Sequence, residues 1–113
     1  MTNQLALLNT SILTSEGNFT LETITLEEAQ NLITNNKDNI ISAIGHQSTA
    51  DIMSTLLDVN INMNRIQFKQ EVNQQALIFK LRGRPEEGRI LKVSDIEQIG
   101  YDFQVLTMNK LNK

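Results

Sequence analysis

The sequence contains no cysteine, a single proline and a single histidine among its 113 residues. Without cysteine the chain has no disulfide framework, no zinc ribbon and no thiolate nucleophile, a composition that fits a reducing cytosol. No stretch approaches the roughly 20 apolar residues that a membrane helix needs, and no secretion signal opens the chain. These absences predict a soluble, cytoplasmic protein that contacts no membrane.

Aromatic residues make up only 4% of the chain, so aliphatic side chains must fill the core. The length predicts one domain, residues 1–113, that needs no structural metal or disulfide. The net charge is −3, yet residues 65–92 hold seven of the ten basic side chains and three of the thirteen acidic ones. Such asymmetry is typical of an anion site on an acidic body. The alternative is that these basic side chains only line the solvent face of two strands.

Hydrophobic patterns predict six strands, three helices and the order β-β-α-β-α-β-β-α-β. The strands are predicted at "LALLN" (5–9), near 19–24, at "IISAI" (40–44), "INMNRIQFK" (61–69), "ALIFKL" (76–81) and "YDFQVLTM" (101–108). The "IISAI" run reads as a strand covered on both faces, and the last strand should place Tyr101, Phe103 and Val105 on one face. The fold class is therefore α/β: a single domain whose mixed sheet of about five or six strands is flanked by about three helices.

Helix starts are predicted from capping signatures. Thr25 and Glu28 form a capping box for a helix that runs to about Asn35, because each side chain can accept from the other's backbone N–H. A second helix is expected to begin at Ser48, and a short third helix at Ser94.

The only histidine, His46, lies where a predicted strand meets a predicted helix. Such a junction brings backbone N–H groups and the positive end of a helix to one point, which suits a phosphate. Gly45 allows close approach of the backbone, Ser48 and Thr49 add hydroxyl donors, and imidazole is the side chain that exchanges a proton near neutral pH. The alternative is that Ser48 only caps the helix while His46 hydrogen-bonds a nearby carbonyl group.

The segment "RGRPEEGR" (82–89) is dense in charge and reads as a loop. Arg84 can clamp a phosphate with its fork of donors, and Glu87 can orient a hydroxyl or manage a proton. The alternative is a solvated loop whose charges pair with each other. The guanidinium of Arg65 can likewise point into a pocket or simply reach solvent. No metal-ligand spacing, nucleophile elbow or phosphate-binding glycine fingerprint is present, so we expect metal-free chemistry and no cofactor.

Four segments together resemble one family. "SAIGHQST" (42–49), "NRIQFK" (64–69), "RPEEGRIL" (84–91) and the opening "LALLNTSILT" (5–14) are similar to ring nucleases that prokaryotic viruses and mobile elements encode as type III anti-CRISPR proteins. The resemblance implies cleavage of cyclic tetra-adenylate, the second messenger of type III CRISPR systems, by a homodimer that binds the ring across its subunit interface. It also implies that the protein acts in the cytoplasm of a prokaryotic host.

The resemblance implies roles for individual residues. His46 matches the catalytic histidine, Arg84 the active-site arginine and Glu87 the active-site glutamate. The residues expected to bind ligand are Asn9, Ser11, Gly45, Gln47, Ser48, Thr49, Arg65 and Arg82. The carry-over is weaker for Ser11, which lies in a loop of variable length, and Gln47 stands where some relatives have aspartate.

Two other functions stay open from the sequence. The same pocket would serve a binding module that sequesters a cyclic nucleotide without cutting it. A small nucleic-acid-binding regulator of a mobile element is disfavoured, because no helix carries a basic face and few aromatic residues are present for base stacking. We therefore expect no duplex nucleic acid as partner.

Overall fold

Five β-strands form one mixed sheet in the part of the chain that the computed structural model describes, residues 4–83 and 93–111. The elements are β1 (Leu5–Leu8), β2 (Gly17–Ile24), α1 (Leu26–Asn35), β3 (Ile40–Ser42), α2 (Gln47–Leu57), β4 (Gln75–Leu81), α3 (Val93–Ile99) and β5 (Tyr101–Leu111). The strand order is β2-β5-β4-β1-β3. β1 runs parallel to β3 and β4, while β5 is antiparallel to β2 and β4. The predicted α/β domain with its mixed sheet and three helices is confirmed.

The two faces of the sheet are covered differently. In β1, Leu5 and Leu7 belong to the core cluster that includes buried residues of all three helices. The alternate residues Ala6 and Leu8 belong to a second cluster, against which Phe68 packs from the connection between α2 and β4. All three helices therefore lie on one face, and the chain connections cover the other.

The last strand follows its predicted pattern. Tyr101, Phe103 and Val105 all pack in the helix-side cluster. The ring centroids of Phe103 lie 5.4 Å from Phe79 and 5.7 Å from Tyr101, within the range of favourable aromatic contacts. The alternation along β5 thus places its aromatic residues under the helices.

The strand predicted at 61–69 is wrong. Residues 61–65, here called the edge strap, run beside β3 but are joined to it largely through side chains. The Asn64 amide donates to the Ser42 carbonyl at 2.8 Å, and the Ser42 hydroxyl donates to the Asn62 carbonyl at 2.6 Å. The Ile66 N–H then bonds to the Asn64 carbonyl at 3.1 Å and turns the chain sharply at Arg65. Alternating apolar residues predicted the strand, but these side chains take the place of a backbone ladder.

Three boundaries also differ from prediction. β3 is a three-residue strand at the sheet edge whose residues are half-buried, so it is not covered on both faces. α2 begins at Gln47 with His46 as its N-cap, and Ser48 lies inside the first turn. α3 begins at Val93, one residue before the predicted Ser94.

Candidate functional site

The parallel strands β1 and β3 end at the same edge of the sheet, and the chain leaves them toward opposite faces. After β1 the chain crosses the face without helices, where the Thr14 hydroxyl accepts a hydrogen bond from the Gln70 N–H at 2.8 Å. After β3 the chain enters α2, which covers the opposite face. Neighbouring parallel strands whose connections depart to opposite faces leave a crevice at their carboxyl ends, and open α/β sheets bind ligands there.

Gly45 is the centre of the contacts at this edge of the sheet. Its N–H donates to Asn9 Oδ1 at 3.5 Å, and its carbonyl accepts from Arg65 Nε at 3.0 Å. A β-carbon on Gly45 would lie 3.8 Å from Arg65 Cγ, an ordinary contact, so close packing does not by itself require glycine here. The contacts bring the end of β1, the turn before α2 and the edge strap together.

His46 is exposed and lies directly after Gly45. Its backbone has the extended N-cap conformation, φ −130° and ψ 127°, and its carbonyl accepts the Ala50 N–H at 3.1 Å. Its side chain makes no capping hydrogen bond, and no other side-chain partner lies within residues 4–83 and 93–111. The predicted cap at Ser48 is therefore wrong, and no carbonyl in the described part of the chain accepts from the His46 imidazole.

The N-terminus of α2 is open. The N–H groups of its first turn, Gln47, Ser48 and Thr49, have no intrahelical acceptor. The first turn carries no acidic residue, and the Gln47 amide is turned along the helix to Asp51 Oδ1 at 2.8 Å. With the Ser48 side chain exposed and Thr49 half-buried, this end offers backbone donors and a positive dipole to an anion.

The guanidinium of Arg65 uses one of its nitrogens to bond the backbone of Gly45. Its Nε is bonded, and its two terminal nitrogens have no partner within the described part of the chain. Its position depends on Asn64, whose N–H donates to the Ile44 carbonyl at 2.8 Å, and on the contacts between Asn64 and Ser42. Sequence reasoning did not include Ser42 and Asn64 in the site, although they open the motifs "SAIGHQST" and "NRIQFK".

Arg82 already has a partner. Its Nε and Nη2 donate to the two carboxylate oxygens of Asp102, at 3.2 and 2.7 Å. The hydrogen bond lowers the pKa of the Asp102 carboxyl and raises the pKa of the Arg82 guanidinium. Its predicted role as a ligand contact stays a prediction.

The remaining predicted residues are placed as follows. Ser11 is exposed in the connection that follows Asn9. Arg84 and Glu87 lie outside the described residues. The structure thus joins Asn9, Gly45 and Arg65 by hydrogen bonds beside His46 and the first turn of α2.

The described part of the chain has two further features, which concern membranes and metals. None of its helices has the length and apolar character needed to cross a bilayer. Residues 4–83 and 93–111 contain no cluster of three or more histidine, aspartate or glutamate side chains that could hold a metal ion.

Known proteins resemble this chain over most of its length. The family model described as STIV B116-like matches residues 5–103, a range that includes every residue predicted for the site. Protein 26 of Sulfolobus islandicus filamentous virus is 42% identical over 88 residues, covering 74% of this chain and 73% of the relative. Protein YddF of Bacillus subtilis is 36% identical over 104 residues, covering 92% and 96%. The solved structure of B116 from Sulfolobus turreted icosahedral virus has a TM-score of 0.77 at 26% identity, covering 93% of this chain and 99% of B116.

Proposed function

We propose a function from one premise: the chain belongs to the STIV B116-like family. The protein is proposed to be a metal-independent ring nuclease that cleaves cyclic tetra-adenylate to linear di-adenylates with 2′,3′-cyclic phosphate ends. It would thereby suppress type III CRISPR immunity in the cytoplasm of a prokaryotic host. The observation that carries the proposal is the exposed imidazole of His46 at a helix N-terminus that no side chain caps within residues 4–83 and 93–111.

The reaction needs little from the protein because RNA carries its own nucleophile. The ribose 2′-oxygen attacks the neighbouring phosphorus, the new P–O2′ bond forms and the P–O5′ bond breaks. Protonated His46 gives its proton to the departing 5′-oxygen, a contribution of typically about 10²–10⁴-fold. Glu87 is proposed to orient the 2′-hydroxyl or accept its proton.

Anion binding is assigned to the groups around Gly45. The free N–H groups at the start of α2 and the terminal nitrogens of Arg65 are donors that stabilise charge growing on the phosphoryl oxygens. Asn9 holds Gly45 from the end of β1, which fixes the backbone immediately before His46. Arg84 is proposed to add a second guanidinium.

The proposal includes a two-fold symmetric homodimer with the ring at its subunit interface. Two subunits would present two His46 side chains to opposite linkages of a four-fold ring, which gives two di-adenylate products. The same symmetry would bring two copies of the basic segment 65–92 around one ligand, which suits a polyanion despite the net charge of −3.

One observation favours a second candidate, a binding protein that sequesters the ring uncut. Catalytic histidines usually have a partner that fixes their tautomer and orientation. His46 has no such side-chain partner within the described residues. The same donors would hold the ring in either case.

The test is incubation of the protein with radiolabelled cyclic tetra-adenylate in the presence of EDTA, followed by chromatography. We expect di-adenylates with 2′,3′-cyclic phosphate ends, since neither metal nor water is required for the first step. Ring returned whole from a protein that retains it on a filter would overturn cleavage in favour of sequestration. Cyclic tri- and hexa-adenylate serve as matched substrates that report the preferred ring size.

A further inference from the structure

We propose that Asn64 is a positioning residue, which works with Ser42 to hold the guanidinium of Arg65 beside the N-terminus of α2 before any ligand arrives. Asn64 touches no ligand in this role and acts through Arg65. Because Arg65 is a ligand contact in the proposed function, the inference rests on that function. It adds the residues that orient one of the anion-binding groups.

Hydrogen bonds fasten the edge strap to the chain as it leaves β3. The Asn64 side chain donates from Nδ2 to the Ser42 carbonyl at 2.8 Å, and the Asn64 N–H donates to the Ile44 carbonyl at 2.8 Å. The Ser42 hydroxyl donates to the Asn62 carbonyl at 2.6 Å. Since Asn64 is bonded through both its backbone and its side chain, the chain is held in place immediately before Arg65.

Arg65 lies at the tip of a tight turn. The Ile66 N–H donates to the Asn64 carbonyl at 3.1 Å, which closes a three-residue turn around Arg65. The Arg65 Nε then donates to the Gly45 carbonyl at 3.0 Å. A β-carbon on Gly45 would lie 3.8 Å from Arg65 Cγ, so the stem of the side chain lies against that backbone. The backbone of Arg65, through Asn64, and its guanidinium, through Gly45, are therefore attached to the same short segment, residues 42–45.

This attachment matters because a long side chain that becomes ordered only on binding lowers affinity. Arg65 is exposed, and without these contacts its side chain would have many rotamers. With Nε engaged, the planar guanidinium presents its two terminal nitrogens as a fixed fork that suits a phosphate group. If the strap bonds served only to close the edge of the sheet, their loss would lower stability without changing how Arg65 binds an anion.

The experiment is a double-mutant cycle between Asn64 and Arg65. Cyclic tetra-adenylate is titrated into protein that carries His46→Ala, so that the ring stays uncut, and Kd is measured for Asn64→Ala, Arg65→Ala and the two combined. We expect Arg65→Ala to weaken binding by about tenfold or more, as for hydrogen bonds from a charged group. Asn64→Ala should weaken it by about two- to tenfold, because the guanidinium must then be ordered on binding. The combined variant should bind as weakly as Arg65→Ala alone, since the contribution of Asn64 passes through Arg65.

Further variants separate positioning from folding. Ser42→Ala should weaken binding by about twofold, because its hydroxyl holds the strap at one carbonyl, and Ser42→Thr, which keeps the hydroxyl, should bind like the parent protein. Asn60→Ala is the control: it removes an exposed carboxamide from the same connection and should leave Kd unchanged. Urea denaturation of each variant measures stability separately. Should Asn64→Ala not fold, the cycle is run with Ser42→Ala in its place.

A direct readout needs no ligand. In nitrogen-15 NMR spectra of the wild-type protein, the Arg65 Nε–H should exchange slowly with water, because it donates to the Gly45 carbonyl. Asn64→Ala should accelerate that exchange, while Asn60→Ala should not.

Losses of affinity that multiply in the combined variant would mean that Asn64 acts independently of Arg65, and would overturn the positioning role. An Asn64→Ala variant that keeps the parent Kd, or the wild-type exchange of the Arg65 Nε–H, would overturn it as well. A wild-type protein that neither binds nor cleaves the ring overturns the proposed function. The Nε–H exchange, measured without ligand, then still decides whether Asn64 positions Arg65.

Discussion

Two helices begin at the same edge of the sheet, and their N-termini are built in opposite ways. At α1 the Thr25 hydroxyl accepts the Glu28 N–H at 3.1 Å, and the Glu28 carboxylate accepts the Thr25 N–H at 3.0 Å. Glu27 and Glu28 also place two negative charges in its first turn. At α2 the N-cap is His46, its side chain caps nothing, and the first turn holds no acid. In α1, side chains at the N-terminus bond to the backbone donors and complement the helix dipole. In α2, the N-cap side chain does neither, and the donors of the first turn are left for another partner.

The contrast indicates which end is structural and which is functional. Natural sequences usually satisfy local rules, and the places where they break one are enriched in sites. A capping box occupies the backbone donors at a helix N-terminus, which does not impair function where no ligand binds. The N-terminus of α2 lies beside Arg65, which bonds to Gly45, and is the end at which a ligand would replace the missing cap.

The largest effect is expected when His46→Ala removes the imidazole from the open end. Cleavage of cyclic tetra-adenylate should fall by about 10²–10⁴-fold, because the 5′-oxygen would depart without a proton donor. Ligand affinity should persist, since the α2 amides and Arg65 remain. Single-turnover cleavage and equilibrium binding measure the two quantities, and added imidazole should restore part of the rate. Turnover that survives the change would remove His46 from the role of general acid.

The next largest effect is expected on stability, at the capped N-terminus of α1. Thr25→Ala should lower the unfolding free energy by about 1 kcal/mol, because the Glu28 N–H loses its acceptor. Urea denaturation measures the loss, and ligand affinity should not change. Thr55→Ala is the matched control, since that exposed hydroxyl donates to the Asp51 carbonyl within α2, at 3.1 Å, and caps no helix end. Equal destabilisation by both variants would mean that the capping box contributes nothing.

A smaller effect of opposite sign is expected when the open end is closed. His46→Asp places a strong N-cap residue in a backbone that already has N-cap geometry, so unfolding should require about 0.5–1 kcal/mol more free energy. The same change should abolish cleavage and weaken ligand binding, since a carboxylate then occupies the anion site. His46→Ala separates the gain of a cap from the loss of imidazole. A variant no more stable than His46→Ala would show that the α2 end has no free donors to cap.

The smallest effect is expected on the pH dependence of stability, from the Arg82–Asp102 ion pair. The pair lowers the pKa of Asp102, so its contribution is present above the ordinary carboxyl pKa and is lost as pH falls through the lowered value. Melting temperatures measured from about pH 6 to about pH 2 should show a small advantage of the wild type over Arg82→Ala that disappears in acid. An advantage that grows in acid would contradict the assignment.

Local sequence signals predicted the capped N-terminus of α1 but not the N-terminus of α2. Thr25 and Glu28 are three residues apart, so their pattern contains the whole capping box. Ser48 was predicted as the second cap because serine is an intrinsically better N-cap than histidine. The helix instead starts at Gln47, just after Gly45, which contacts Asn9, 36 residues away, and Arg65, 20 residues away. Such long-range contacts leave no local pattern.

The same limit applies to the site and to the edge strap. Periodicity identified β1, α1, β4 and β5, because each buries a regular stripe of side chains. It could not bring Asn9 and Arg65 to Gly45; the resemblance suggested that grouping, and hydrogen bonds now show contact among the three. It also predicted a sixth strand, since nothing local reveals that Asn64 would bond through its side-chain amide.

The edge strap has a further consequence for the solubility of the fold. β3 is a boundary strand of the sheet, and bare boundary strands recruit other chains into growing cross-β aggregates. Here the Asn64 amide and the Ser42 hydroxyl already engage carbonyl groups along that margin. Because side chains rather than a regular ladder make these bonds, the strap offers no regular row of backbone groups on which another strand could pair.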